Sequence, residues 1–202
     1  MDHLGIARLE TERFIAAATR VPPSAAVPAC PGWTVAELVA HVVGLARGAG
    51  WYIRTGSPSP PTPAQIADWF APYDLDELRR VDDVLATAQP GPRCWTVWPS
   101  ASPLEFWSRR HAHELTIHRV DLELAAGLPV TEPDEAFAAD GIDELATYLR
   151  RVRGLDVWPT DDGVRFEGRL IAGPPATLYL QLWNRIPGAP ASWRDRAKWT
   201  FG

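Results

Sequence analysis

Lysine is nearly missing from this chain: Lys198 stands alone against nineteen arginines. With a net charge of −5 and no basic block, the sequence argues against a nucleic-acid partner. Cysteine is scarce too. Cys30 and Cys94 are the only two, which excludes a disulfide framework. No apolar run approaches the roughly 20 residues needed to cross a bilayer, and the N-terminus lacks the apolar stretch of a signal peptide. The expectation is a soluble cytoplasmic protein with no membrane partner. Several catalytic signatures are also missing: a Gly-rich phosphate loop, a G-x-S-x-G elbow, an H-E-x-x-H pair and a C-x-x-C pair. His113-Glu114 followed by His118 is one residue too long for the H-E-x-x-H spacing.

Tryptophan, by contrast, is abundant. Ten in 202 residues imply substantial aromatic burial or a lined pocket. The excess of Arg over Lys, with many Ala, Pro and Gly, reads as codon bias from a high-GC genome. It informs on the host and not on the fold.

The stretch that organises the chain is SPLEFWSRRHAHELTIHRVDLELAAG, residues 102–127. Ser102 is an N-cap, Pro103 suits the first helical position, Glu105 sits where a capping box places a carboxylate, and Gly127 ends the helix. Before it, residues 2–20 read as a helix stopped by Val21-Pro22-Pro23. Thr34 and Glu37 then form a capping box that opens a second helix running to about Arg54. Residues 64–88 read as a helical region broken near Pro72. Residues 132–151 read as a further helix. Four or five helices with short connections suggest an up-and-down bundle. After Gly154 the pattern changes. Val164, Phe166 and Leu170 alternate with polar residues as in strands, residues 177–183 are ambiguous between strand and helix, and residues 198–201 suggest an edge strand. The expected organisation is a mainly α fold, with a helical bundle over 1–154 and a small, shortened α+β appendage over 155–202.

Within the long helix, Glu114 and His118 lie one turn apart, about 40° apart around the axis. Such a pair can direct two donor atoms at one ion. His41, on the same face of the second helix as Leu38 and Val42, could supply a third. A His₂Glu set with an open position is a known zinc arrangement. Trp107, Arg110, Glu114, His118 and Asp121 share one stripe, and Asp121 could accept a proton from the free ring nitrogen of His118. The competing reading is a surface ladder of Arg110–Glu114 and His118–Asp121 pairs. His111 and His113 lie off the ligand face, His3 is expected to be solvent-exposed, and Cys30 reads as a structural thiol.

CPGWTVAELVAHVVG at 30–44 and FWSRRHAHELTIHRVDLELAAG at 106–127 resemble the mycothiol-dependent maleylpyruvate isomerase family, which belongs to the DinB-like four-helix metalloenzymes. The resemblance implies a divalent metal, zinc being the expected ion, held by His41, Glu114 and His118, with mycothiol as the thiol partner. It also implies a thiolate that attacks an electrophilic small molecule. An isomerase adds the thiol to a conjugated cis double bond, allows rotation, and eliminates it. A thiol S-transferase leaves it attached. LQLWNR at 180–185 looks like the family's C-terminal Leu-Trp-x-Arg signature, which places a functional arginine on Arg185; it also favours a helix there. Arg185, and also Arg110, could hold a substrate carboxylate. The high-GC composition agrees with an actinobacterial host. A non-catalytic metal-containing binding module is the alternative from another class, and the oligomeric state is open between monomer and homodimer.

Overall fold

The computed structural model describes residues 1–89 and 93–196. It is mainly helical, with a small sheet towards the C-terminus, and the chain divides into two compact units, Met1–Val130 and Thr131–Gly202. The division falls earlier than the 154/155 boundary read from the sequence. The helix expected at 132–151 groups with the sheet.

In the first unit, α1 (His3–Ala18), α2 (Val35–Thr55), α4 (Asp76–Thr87) and α5 (Pro103–Ala125) are the long helices, and α3 (Pro63–Trp69) is short. Their ends follow from local chemistry. Thr34 and Glu37 make the reciprocal capping box at the start of α2, and Thr62 and Gln65 do the same for α3. The Ser102 side chain accepts from the Glu105 amide at the start of α5. Gly127, at φ 66°, closes α5 in a Schellman turn, with Leu128 N–H on the Glu123 carbonyl and Gly127 N–H on that of Leu124. Each of the four long helices packs against two others: α1 on α5 and α4, and α2 on α5 and α4.

The core is apolar over much of its length, with Phe14, Leu38, Val42, Leu78, Leu85, Leu115 and Leu122 all buried. α5 is the exception in composition. Every residue from His111 to Glu123 is buried, although eight of these thirteen carry polar or charged side chains. Two of the polar ones reach neighbouring helices: His111 pairs with Asp82 of α4 at 3.1 Å, and Arg119 with Glu10 of α1 at 2.6 Å. α2 and α5 run antiparallel, since His41 meets His118 at one end and Tyr52 stacks on Trp107 at the other, with ring centroids 5.2 Å and 5.3 Å apart. At about 1.5 Å per residue these two contacts are roughly 16 Å apart along the seam. The Tyr52 end is where the tryptophans gather: Trp51, Trp69, Trp95 and Trp107 lie ring against ring around it.

Arg47 fastens the α3–α4 connection to α2. Its guanidinium donates to both carboxylate oxygens of Glu77 at 2.5 Å, and to the carbonyls of Trp69, Ala71 and Pro72 at 2.8–2.9 Å. The hydrogen bond from Arg47 holds the Glu77 carboxyl below its ordinary value of 4.5. A carboxyl depressed in the folded state stabilises the fold above its unfolded pKa, and that contribution is lost as pH falls through the folded one. Glu77→Gln is therefore expected to cost about 1–3 kcal/mol at neutral pH. The gap from the parent protein should close progressively below pH 4.5. Urea unfolding at a series of pH values measures this; a pH-independent gap would refute it.

In the second unit, α6 (Glu135–Arg153) is capped by Asp134 and ends at Gly154 in the left-handed region. A meander of β1 (Val157–Thr160), β2 (Gly163–Phe166) and β3 (Arg169–Ala172) follows, with Val164 opposite Ile171 and Pro159. Glu167 and Gly168, at φ 47° and 78°, make the tight two-residue turn between β2 and β3. The ambiguous segment after Pro174 is a helix, α7 (Pro175–Leu182), and α8 (Ala191–Arg196) follows it. A proline at the first helical position, where its missing N–H forfeits no hydrogen bond, suits the helix. The edge strand expected at 198–201 lies outside the described residues.

Candidate functional site

His41 from α2 and Glu114 and His118 from α5 come together at one end of the α2–α5 seam. One donor atom from each lies within 4.8 Å of the others. Glu114 and His118 are 7% and 1% exposed, whereas His41 is half-buried. The pairs that the surface-ladder reading required are both present, Arg110 with Glu114 and His118 with Asp121, but Glu114, His118 and Asp121 are interior.

His118 has a carboxylate at each ring nitrogen. Nδ1 lies 2.8 Å from Asp121 Oδ2, and Nε2 lies 3.1 Å from Glu114 Oε2. A neutral imidazole carries one N–H. If Nδ1–H donates to Asp121, Nε2 presents a lone pair towards another anionic oxygen. Two carboxylates around one imidazole are balanced when a cation sits at Nε2, either a second proton or a metal ion. His, His and Glu with an orienting carboxylate behind one His is a donor set suited to zinc and similar divalent ions. The chemistry of the donor set therefore fits the metal that the sequence suggested.

Cys30, read from the sequence as merely structural, is buried, and its thiol donates to Asp121 Oδ2 at 3.6 Å. Asp121 thus gathers Cys30 and His118 on one oxygen. The Cys-Pro-Gly-Trp turn that opens α2 brings this thiol in; the spacing of Cys30 from Asp121 in the chain gave no signal of it. Trp33 of the same turn stands edge-on to the His41 ring at 5.1 Å, and Phe70, just after α3, lies 6.1 Å from it.

The other histidines are also placed. His3 is buried at 7% exposure, correcting the expectation that it faces solvent; α1 packs along α5, and the His3 ring sits 6.3 Å from that of His113. His111 serves the α4 contact and lies outside the trio. Arg110 binds Glu114. Arg185 belongs to the second unit, where its guanidinium donates to the Trp183 carbonyl at 2.6 Å and lies over the Trp183 ring.

No match was found among curated proteins or among solved structures. A family profile does match: the mycothiol maleylpyruvate isomerase N-terminal domain, over residues 4–123. The matched span contains Cys30, His41, Glu114, His118 and Asp121; Arg185 lies beyond it. Because the profile covers more than half of the chain, and does so over the helices that assemble the trio, this protein belongs to the mycothiol maleylpyruvate isomerase N-terminal domain family.

Proposed function

We propose that this protein is a mycothiol-dependent metalloenzyme acting on an electrophilic small molecule, built on a DinB-like up-and-down bundle of α1, α2, α4 and α5. The observation that carries this reading is the convergence of His41, Glu114 and His118 from two helices, with Asp121 behind His118. His41, Glu114 and His118 would hold a divalent ion, zinc by preference. Such an ion, when bound, lowers the pKa of a coordinated thiol so that a thiolate is available at neutral pH.

The chain's own residues have distinct tasks. Asp121 fixes the His118 ring by accepting from Nδ1, which directs Nε2 towards Glu114. Cys30 donates to the same Asp121 oxygen and restrains that carboxylate. Arg110 holds Glu114 from the other side. The burial of Glu114 and His118 keeps bulk water from them, which strengthens every charge interaction at the trio.

Two reactions share this machinery: cis–trans isomerisation of the maleylpyruvate type, and S-transfer to an electrophilic metabolite or biosynthetic intermediate. Cobalt(II)-loaded protein titrated with mycothiol tests the shared step. A sulfur-to-cobalt charge-transfer band is expected on binding, and a protein that takes up no divalent ion would overturn the proposal. Thiol accounting then separates the two reactions, since an isomerase returns its mycothiol and a transferase consumes one per turnover.

Asp121→Asn offers a finer test. It keeps one acceptor oxygen but removes the charge that orients His118. Zinc affinity, measured by competition with a chelating dye, is expected to fall about 10–100-fold. Unchanged affinity would show that Asp121 has no part in holding the ring.

A further inference from the structure

We infer that the way into the trio is an aromatic slot, formed by Trp33 and Phe70, that takes a flat, conjugated, uncharged electrophile in preference to a small dianion. This inference rests on the trio being the reactive centre and adds the class of molecule that reaches it.

Glu114 and His118 are buried, and His41 is the half-buried member of the trio, with its Nε2 turned inward. A molecule approaching the trio from the His41 side meets two aromatic rings near that imidazole. Phe70 is 39% exposed, an unusual state for a large apolar side chain held this firmly. Its seat is built into α2. A Cβ at Gly44 would come within 2.6 Å of the Phe70 ring, so only glycine there lets the ring lie against the helix. Arg47, one turn further on, binds the carbonyls of Trp69 and Ala71 on either side of Phe70. Trp33 is fixed by its turn as well: its amide donates to the Cys30 carbonyl at 3.0 Å, and its carbonyl accepts from Val27 at 2.9 Å. Two rings beside the imidazole offer stacking and edge contacts to a planar π-system. The walls of the slot are the uncharged rings of Trp33 and Phe70, which offer π-faces where a dianion would need a pair of cations.

The test is calorimetric titration of the full-length protein, zinc-loaded and metal-free, with benzylideneacetone and with maleate. The unmodified protein is expected to bind the aryl enone at least about tenfold more tightly than maleate. Phe70→Ala and Trp33→Leu should each weaken enone binding by about tenfold, and Phe70→Tyr, which keeps the ring, should retain it. Zinc content should be the same in Phe70→Ala and the parent. Tighter binding of maleate, or enone binding indifferent to both truncations, would overturn the inference. Enone binding that depends on Phe70 in a protein that takes up no zinc would support the slot while removing the metal reading, so the two can fail separately.

Discussion

His118→Ala is expected to abolish stoichiometric zinc binding and thiol turnover together, the largest functional effect of any single substitution in this protein. His118 touches both carboxylates, Glu114 through Nε2 and Asp121 through Nδ1. Removing the ring deletes a donor and leaves Asp121, with no exposed surface, without its imidazole partner. Loss of a partner behind a ligand costs about 10–100-fold in metal affinity, and loss of the ligand itself should exceed that. His41→Ala should follow the same direction, because His41 brings the only α2 donor of the three. His111→Asn provides the control: it disturbs the buried pair with Asp82, and so stability, but should leave one zinc per folded chain. Elemental analysis of the refolded variants decides. Zinc retained at full stoichiometry in His118→Ala would place the ion elsewhere, and the thiol-enzyme reading would fail with it.

How far the sequence disclosed this arrangement differs from feature to feature, for physical reasons. Helix starts were legible because capping is local: Thr34 with Glu37 and Ser102 with Glu105 are set by residues three apart. The trio was legible in part. Glu114 and His118 follow from one turn of helix, and His41 joined them only on the premise that α2 and α5 are neighbours. What stayed hidden was long-range. Cys30 meets Asp121 across 91 positions, and Asp82 meets His111 across 29; no periodicity encodes either. The same holds for His3, whose place near a terminus suggested exposure, whereas the packing of α1 on α5 buries it. α5 itself resists pattern reading because its polar residues are buried in pairs, some within the helix, as His118 with Glu114 and Asp121, and some with α1 and α4, as Arg119 with Glu10 and His111 with Asp82. A helix that satisfies its charges internally loses the two-sided contrast on which amphipathic reading depends. The grouping of α6 with the sheet is likewise a matter of packing, since α6 touches β1, β2 and α7.

Those internal charges lead to the largest effect expected on stability. Glu10→Ala should cost about 3–5 kcal/mol, the range for breaking a buried ion pair from one side. Arg119 is 2% exposed, and its guanidinium donates to Glu10 and to Glu123, each at 2.6 Å. Burial works against its charge, and the two carboxylates more than offset this, so the guanidinium is held above its ordinary value. Taking Glu10 away leaves a desolvated cation with one of these two anions. The Arg13–Glu10 bond lost at the same time adds little, because Arg13 is half-exposed. Pairing the substitution with Arg119→Met removes the stranded charge and should recover most of the loss, since an apolar side chain of similar length fills the same space without needing a partner. Urea midpoints at constant slope measure both variants. Arg119 directly follows His118 on α5, so the double variant also separates two roles of the network. Recovered stability with full zinc binding would mean that the α1–α5 ion pair serves cohesion alone. Recovered stability with weakened zinc binding would mean that it also sets the rotation of α5 on which the trio depends. A loss below about 1 kcal/mol in Glu10→Ala would show that the guanidinium finds water or another anion once Glu10 is gone.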